Sequence, residues 1–313
     1  MVSKLRQIKH LFEYAGVLLL ARLAAWLPFP TVQKIGRGIG WLAFHGVRIR
    51  RRVTIANLRR AFPEKSAAEI LALAESTYRH FGMMMLETLR LLTIQPDEAR
   101  RSIEVVDTAA IDEALSAGKG AILLTGHMGN WEYLGAWVSS SGYPTVFMFQ
   151  EQANPHVNRL IRQFRERMGM EVVPRGMALR SYLKALRSGR FVAVVADQDA
   201  GRNGIFIPFM GHLASTATGP ARFALKTGAP LIMAVSYREP DGRLKGCFEK
   251  LEVATEGLED AEAIQQIMEA YNRKLEAWIR AYPDQWFWMH RRWKTRPETE
   301  QPSKAVTAPS EIS

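Results

Sequence analysis

A single cysteine, Cys247, is present in the whole chain. One thiol builds neither an internal disulfide nor a cysteine zinc site, so a disulfide-stapled secreted fold is excluded and a reducing compartment is expected. No serine sits in a G-x-S-x-G elbow, which removes the usual hydrolase nucleophile. Cys247 falls in an expected strand without an activating pattern, so it is no substitute. Long apolar runs are also missing. Within residues 11–29, Tyr14–Ala21 and Leu23–Phe29 are split by Arg22, short of the roughly 20 apolar residues of a free-standing span. Acidic residues are nearly absent from positions 1–60, where twelve Lys/Arg face only Glu13. That excess accounts for the entire +11; the rest balances at 30 basic against 30 acidic residues. A nucleic-acid binder more often carries its basic residues on its main domain, so no nucleic-acid partner is expected. Basic charge on an apolar terminal segment points instead to an anionic membrane surface.

At 313 residues and 47% hydrophobic, the chain has ample material for a buried core. Residues 1–60 read as membrane-associating helices, 61–296 as an α/β domain, and the polar tail 297–313 as disordered. For the segment 11–29, three readings stand open: an uncleaved tilted span, a helix lying in the interface with Trp26 and Phe29 at headgroup level, and a plain core helix. No A-x-A cleavage site follows it, which argues against a removed leader. The Arg48, Arg50, Arg51, Arg52 cluster is either a solvated helix face or a contact with anionic lipid, at about 1 kcal/mol per residue.

Helical patterning covers 53–61 and 67–92, the latter ending in an apolar stretch where Met83, Met84 and Met85 read as core filler or as an adaptable wall for an acyl chain. After Pro96, helices at 109–117, 155–168, 177–188, 220–227 and 260–281 alternate with strands at 121–125, 144–149, 171–173, 191–196 and 230–237, and 248–253 reads as an edge strand. Alternation of this kind implies a mixed, mostly parallel sheet covered by helices.

The strand Ala121–Thr125 runs into Gly126-His127-Met128-Gly129-Asn130-Trp131-Glu132 and then a helix. Gly126 and Gly129 permit a tight turn and close approach of a ligand. Open α/β sheets place ligands at the carboxyl ends of strands, where this turn lies. An imidazole there can take a proton from an alcohol, and a carboxylate can orient the ring and stabilise its charged form. H-x4-E by itself fits a hydrogen-bonded structural histidine better; the glycine-rich context at a strand end tips it toward chemistry.

GHMGNWE resembles the H-x4-D/E signature of the lysophospholipid acyltransferase superfamily, and more narrowly that of the lipid A lauroyl/myristoyl acyltransferases. Asn154-Pro155 before a helix with Arg165 and Arg167, Ala196-Asp197-Gln198-Asp199, Phe206–Gly211, Thr216–Pro220 and Gln285–Lys294 are similar to that family in order. The Pro-Glu-Gly-Thr block of the glycerol-phosphate branch is absent.

The resemblance implies acyl transfer from acyl-ACP or acyl-CoA to a hydroxyl of a lipid A precursor, at the cytoplasmic face of the inner membrane. A phosphatidylinositol mannoside or phospholipid acceptor is the alternative, and a non-catalytic lipid-binding protein the second. His127 would be the general base and Glu132 its holder. Backbone amides around Gly126–Gly129 or Arg165 would stabilise the oxyanion. Arg165 or Arg167 could instead bind acceptor phosphate, with Gly126, Gly129 and Asn130 near substrate. Asp197 and Asp199 are expected to cap the strand end rather than hold a metal, with Asp197 lining the acceptor site. No cofactor or metal is expected. Thr218 reads as a helix N-cap. Trp286, Trp288 and Trp293 among basic residues suit a belt at lipid headgroups, although a buried aromatic cluster fits the same composition.

Overall fold

A computed structural model describes residues 4–149, 151–174 and 178–297; the disordered-tail expectation for 297–313 falls, beyond Pro297, outside them. The chain opens with α1 (Lys4–Trp26), α2 (Phe29–Leu42), a π-helical turn (Ala43–Val47), α3 (Arg51–Ala61), α4 (Ala67–Leu91) and α5 (Pro96–Arg101). Next come β1 (Ile103–Asp107), α6 (Ala109–Ser116), β2 (Ala121–Thr125), α7 (Trp131–Ser140), β3 (Thr145–Phe149), α8 (Pro155–Arg167), β4 (Glu171–Pro174) and α9 (Ala178–Arg187). The last part holds β5 (Phe191–Val195), β6 (Ile205–Phe209), β7 (His212–Thr216), α10 (Gly219–Thr227), β8 (Leu231–Arg238), β9 (Leu244–Lys250) and α11 (Asp260–Ala281).

Seven strands form one sheet in the order β1-β9-β8-β2-β5-β3-β4. From β8 to β4 all neighbours are parallel, and only the β8–β9 pair is antiparallel. The mixed, mostly parallel sheet expected from the sequence is present. β2 and β8 are continuous apolar runs because both of their faces are covered. One core packs α9, α10 and α11 against the face bearing Ile122, Leu124 and Val192. The second core packs α7 and α8 against the face bearing Leu123, Phe147 and Ala193.

Three features differ from the sequence reading. The edge strand expected at 248–253 is β9, Leu244–Lys250, and it lies inside the sheet between β1 and β8. The true edge, β1, has no alternating pattern to reveal it. The β6–β7 hairpin was also unread. It turns at Met210 (φ 49°) and Gly211 (φ 78°), the left-handed pair that a two-residue hairpin turn requires, and Pro208 is accommodated because each strand has one free edge.

The N-terminal helices are joined to the body through α4. Gly36 and Gly40 of α2 cross Gly82 of α4 so closely that a Cβ on Gly40 would lie 2.1 Å from the Tyr78 carbonyl oxygen. α4 starts at a capping box, Ser66 with Glu69, and α1 lies against α4 and α8. No described helix is long and apolar enough to cross a membrane.

Near the C-terminal end of α4, the fully buried Glu87 forms an ion pair with Arg238 at the end of β8 (2.6 Å). It also accepts from Asn130 Nδ2 (2.8 Å) and Gln33 Nε2 (3.2 Å). Helix α2, helix α4, strand β8 and the turn after β2 are thereby tied to one carboxylate. Glu87→Ala should cost about 3–5 kcal/mol, because it leaves the Arg238 guanidinium buried without its counter-charge. Urea unfolding of the two proteins measures this, and Glu87→Gln should lose less.

Candidate active site

β2 and β5 are parallel neighbours, so their carboxyl ends deliver two loops to the same place. His127 stands two residues past β2, and Asp197 two residues past β5. Asp197 is 1% exposed and all its oxygen contacts are directed at this turn. Its Oδ1 lies 2.7 Å from His127 Nδ1, and its Oδ2 accepts the His127 backbone N–H (2.7 Å) and the Trp286 indole N–H (2.8 Å). A buried carboxylate is costly unless it is bonded in this manner. Burial pushes the Asp197 carboxyl up, but His127 and these hydrogen bonds outweigh it and hold it below the ordinary aspartate range. Burial likewise pushes the His127 imidazole down, while the charge and hydrogen bond of Asp197 and the charge of Glu132 raise it above its usual value.

With Nδ1–H donating a hydrogen bond to the Asp197 carboxylate, the ring presents Nε2 as its basic nitrogen. The Trp131 ring stands edge-on to the imidazole at 4.9 Å, and the Gln198 amide nitrogen lies 3.4 Å from each ring nitrogen.

A segment distant in sequence fixes the backbone of this turn. Gly129 N–H donates to Gln285 O (2.9 Å), and Phe287 N–H donates to His127 O (3.0 Å), pairing Met128 with Trp286 as a short antiparallel bridge. Gly129 needs φ +58°, and a Cβ there would lie 2.1 Å from Ser236 O in β8. Beneath it, His80 Nε2 lies 3.2 Å from Gly129 O. Burial, reinforced by Arg238, pushes that imidazole down to about 3, so it is neutral and donates from Nε2.

This geometry reassigns several residues. The partner of His127 is Asp197, not Glu132. Glu132 faces Arg165, 3.9 Å away, and reaches the imidazole through its charge. Asp197 is buried behind the His127 ring and spends three hydrogen bonds on His127 and Trp286 rather than standing open at a groove. Three of the amides proposed for the oxyanion are already used: His127 N–H by Asp197, Met128 N–H by Gly126 O, and Gly129 N–H by Gln285 O. Asn130 is fully buried and caps α7 through Tyr133 N–H, so it is not a substrate contact. Gly126 is packed between Leu275 and Asp197. Arg167 donates to Ile94 O (3.1 Å) and Leu92 O (2.7 Å), capping the end of α4 rather than a phosphate. Asp199 accepts from the Thr295 backbone N–H and hydroxyl, which is the loop-bonding role expected of it. Thr218 occupies the N-cap position of α10, but its hydroxyl accepts from Arg222 Nε rather than from the helix backbone.

Trp286, Trp288 and Trp293 are buried rather than arrayed at a headgroup layer, and Arg292 beside them is fully buried, donating to Thr216 Oγ1 (2.7 Å). The Gln285–Trp288 stretch is therefore part of the site's foundation. Its motif was visible in the sequence, but the distance of some 160 residues to the histidine turn hid what it touches.

Arg165 and Glu132 stand at a cleft between the sheet and α7/α8. Leu123, Leu134, Gly135, Phe147, Met170 and Ala193 make most of it apolar. The cleft is narrow, with an interior of about 140 Å³, and it opens to solvent.

The family described as bacterial lipid A biosynthesis acyltransferase matches residues 2–295. The chain belongs to that family. It is therefore an acyltransferase. It is 31% identical over 279 residues to the lipid A biosynthesis lauroyltransferase of Escherichia coli K12, covering 88% of this chain and 89% of that one. The palmitoleoyltransferase of the same organism is 29% identical, covering 88% of each. The phosphatidylinositol mannoside acyltransferase of Mycolicibacterium smegmatis is 25% identical, covering 87% of this chain and 88% of the other.

An imidazole can accept a proton only when it is deprotonated, and the proposal that His127 does so in turnover fixes a pH dependence. The acid limb of kcat/KM for this acyltransferase should therefore lie above the ordinary histidine value of about 6.5, because Asp197 and Glu132 outweigh burial. Asp197→Asn should move that limb to lower pH and reduce the plateau; Glu132→Gln should move it less. A pH–rate series on the three proteins reads both effects.

Proposed function

We propose that this enzyme transfers a fatty acyl group from an acyl thioester to a hydroxyl of a lipid A precursor, with His127 as general base and Asp197 as the group that orients it. The observation that carries the reading is the Asp197–His127 pair beside an apolar cleft.

The acyl chain lies in the cleft between the sheet and α7/α8, which places its carbonyl at the carboxyl ends of β2 and β5. His127 Nε2 takes the proton of the acceptor hydroxyl as its oxygen attacks the thioester carbon. The C–S bond then breaks, and the imidazolium returns the proton to the leaving thiolate. The donor is already activated, so no acyl-enzyme is needed. Asp197 stabilises the imidazolium in a site where solvent screens little. Oxyanion charge needs a donor. Since three of the turn's amides are occupied, the Arg165 guanidinium is the group best placed for it, with Glu132 holding its orientation. The donor is acyl-ACP or acyl-CoA.

Two features favour a membrane-bound acceptor. α1 exposes Phe12, Leu19, Leu20 and Trp26, and α2 exposes Ile35 and Trp41, on the segment that carries the chain's basic excess. Such a surface suits the interface of an anionic bilayer, at the cytoplasmic side of the inner membrane. The Mycolicibacterium relative favours a second reading, a mannoside lipid as acceptor.

With radiolabelled acyl donors and candidate acceptors, His127→Ala should lower turnover by about 10²–10⁴-fold while leaving the thermal melt unchanged. Near-wild-type transfer by that variant overturns the base assignment. Label entering only a mannoside favours the second acceptor. Separately, Phe12→Ser with Trp26→Ser should weaken co-sedimentation with vesicles containing phosphatidylglycerol; unchanged sedimentation removes α1 as the contact.

A further inference from the structure

The face of the sheet opposite the acyl cleft carries a groove that the reaction above does not use. It runs between α9 and α10, with Ile264 of α11 beside it. Leu179, Leu183 and Phe223 form its apolar part, and Leu179 is 64% exposed. Its surroundings are basic. Arg222 and Lys226 of α10 line it, and Arg180, Lys184 and Arg187 of α9 ring an adjoining depression that shares Leu183. All five are exposed, and none pairs with a carboxylate among the described residues. Arg222 makes one contact through Nε, to Thr218 Oγ1 (3.2 Å). The acid at the groove is Asp260, which opens α11.

Outside residues 1–60 the chain has no net charge. Five unpaired cations along two adjacent helices are therefore a local concentration, not a reflection of overall composition. Unpaired cations around exposed leucines suit a partner that is acidic at its rim and apolar at its centre.

Topology links this groove to the site. α9 follows β4 and precedes β5, and β4 and β5 both run parallel to β3. The first turn of α9 therefore lies at the carboxyl edge of the sheet, where His127 and Asp197 stand. α10 opens at Gly219, three residues after Thr216, whose hydroxyl holds Arg292. α9 has ten residues and is about 15 Å long, so the groove runs back from the carboxyl edge of the sheet over no more than that length. A flexible arm can run from it across the ends of β5 and β3, where Val195 and Met148 are exposed and also line the acyl cleft.

We propose that the α9–α10 groove docks an acidic, helical carrier protein that presents the acyl thioester on a flexible arm. The proposal rests on the thioester-donor reading above and adds where that donor is held. A bilayer is the less fitting occupant. α1 packs against α8, on the other side of the sheet, and the large exposed aromatic side chains are on α1 and α2 rather than here.

The test uses two double variants, Arg180→Glu with Lys184→Glu, and Arg222→Glu with Lys226→Glu. KM and kcat are measured for the same acyl chain on acyl carrier protein and on coenzyme A, together with anisotropy of fluorescently labelled carrier protein. KM for the carrier-linked donor should rise at least tenfold, with kcat nearly preserved and the wild-type affinity falling with salt. Transfer from the coenzyme-linked donor and the thermal melt should be unchanged, which separates loss of docking from loss of fold. Unchanged KM and anisotropy overturn the proposal. So does loss of binding to vesicles containing phosphatidylglycerol in place of loss of carrier binding. If the wild type transfers from neither donor, the reaction reading fails, and anisotropy alone decides the surface: carrier binding lost in the variants upholds it, and no binding by the wild type overturns it. His127→Ala should bind carrier normally while failing to transfer.

Discussion

A single buried carboxylate receives three hydrogen bonds at the carboxyl edge of the sheet, and the site depends on that arrangement. Asp197 is withdrawn from water, so each of its bonds must be supplied by protein. The His127 backbone sets the turn, the His127 ring sets the tautomer, and the Trp286 indole brings the C-terminal segment against both. The bridge between Met128 and Trp286 then fixes the height of the imidazole above the sheet. Orientation and electrostatics therefore come from the same contacts, and the turn that presents His127 spends its own amides on holding its shape.

Beneath that turn lies a second buried charge. Glu87, Arg238, Asn130, Gln33 and the neutral His80 connect α2, α4, β8 and the base of α7. The N-terminal helices and the histidine turn are parts of one polar framework. A helix of the N-terminal region thus reaches the residue that caps α7, through the fully buried Glu87 carboxylate.

The fold separates tasks by sheet face. α7 and α8 cover the acyl cleft, with Arg165 and Glu132 at its polar end. α9 and α10 cover the other face and present cations to solvent. The carboxyl ends of parallel strands are where the two faces meet, so a donor held on one side can deliver its chain to the other.

The alternating strands and helices were legible because β2, β5 and β8 are apolar runs bounded by turn residues, and α11 has a clean helical period. β1 and the β6–β7 hairpin were not, since an edge strand and a Pro-containing ribbon are under weaker burial constraints. His127, its glycine-rich turn and Asp197 were all singled out from the sequence. Their pairing was not. Glu132 is five residues away and looked like the partner, but the helix that starts at Trp131 carries it toward Arg165. The resemblance favoured Arg165 over Arg167, and helix phase gives the reason: it puts Arg165 at the cleft and turns Arg167 to cap α4. The tryptophans looked interfacial because composition records which side chains are present and not which are covered. What the sequence alone determined was the family, the sheet class and the histidine turn, since each is written in local pattern and short motifs. What only the tertiary structure decided was which carboxylate meets His127, which amides of the turn are spent and which arginine stands at the cleft, because those depend on strand neighbours and helix phase among residues tens to more than a hundred positions apart.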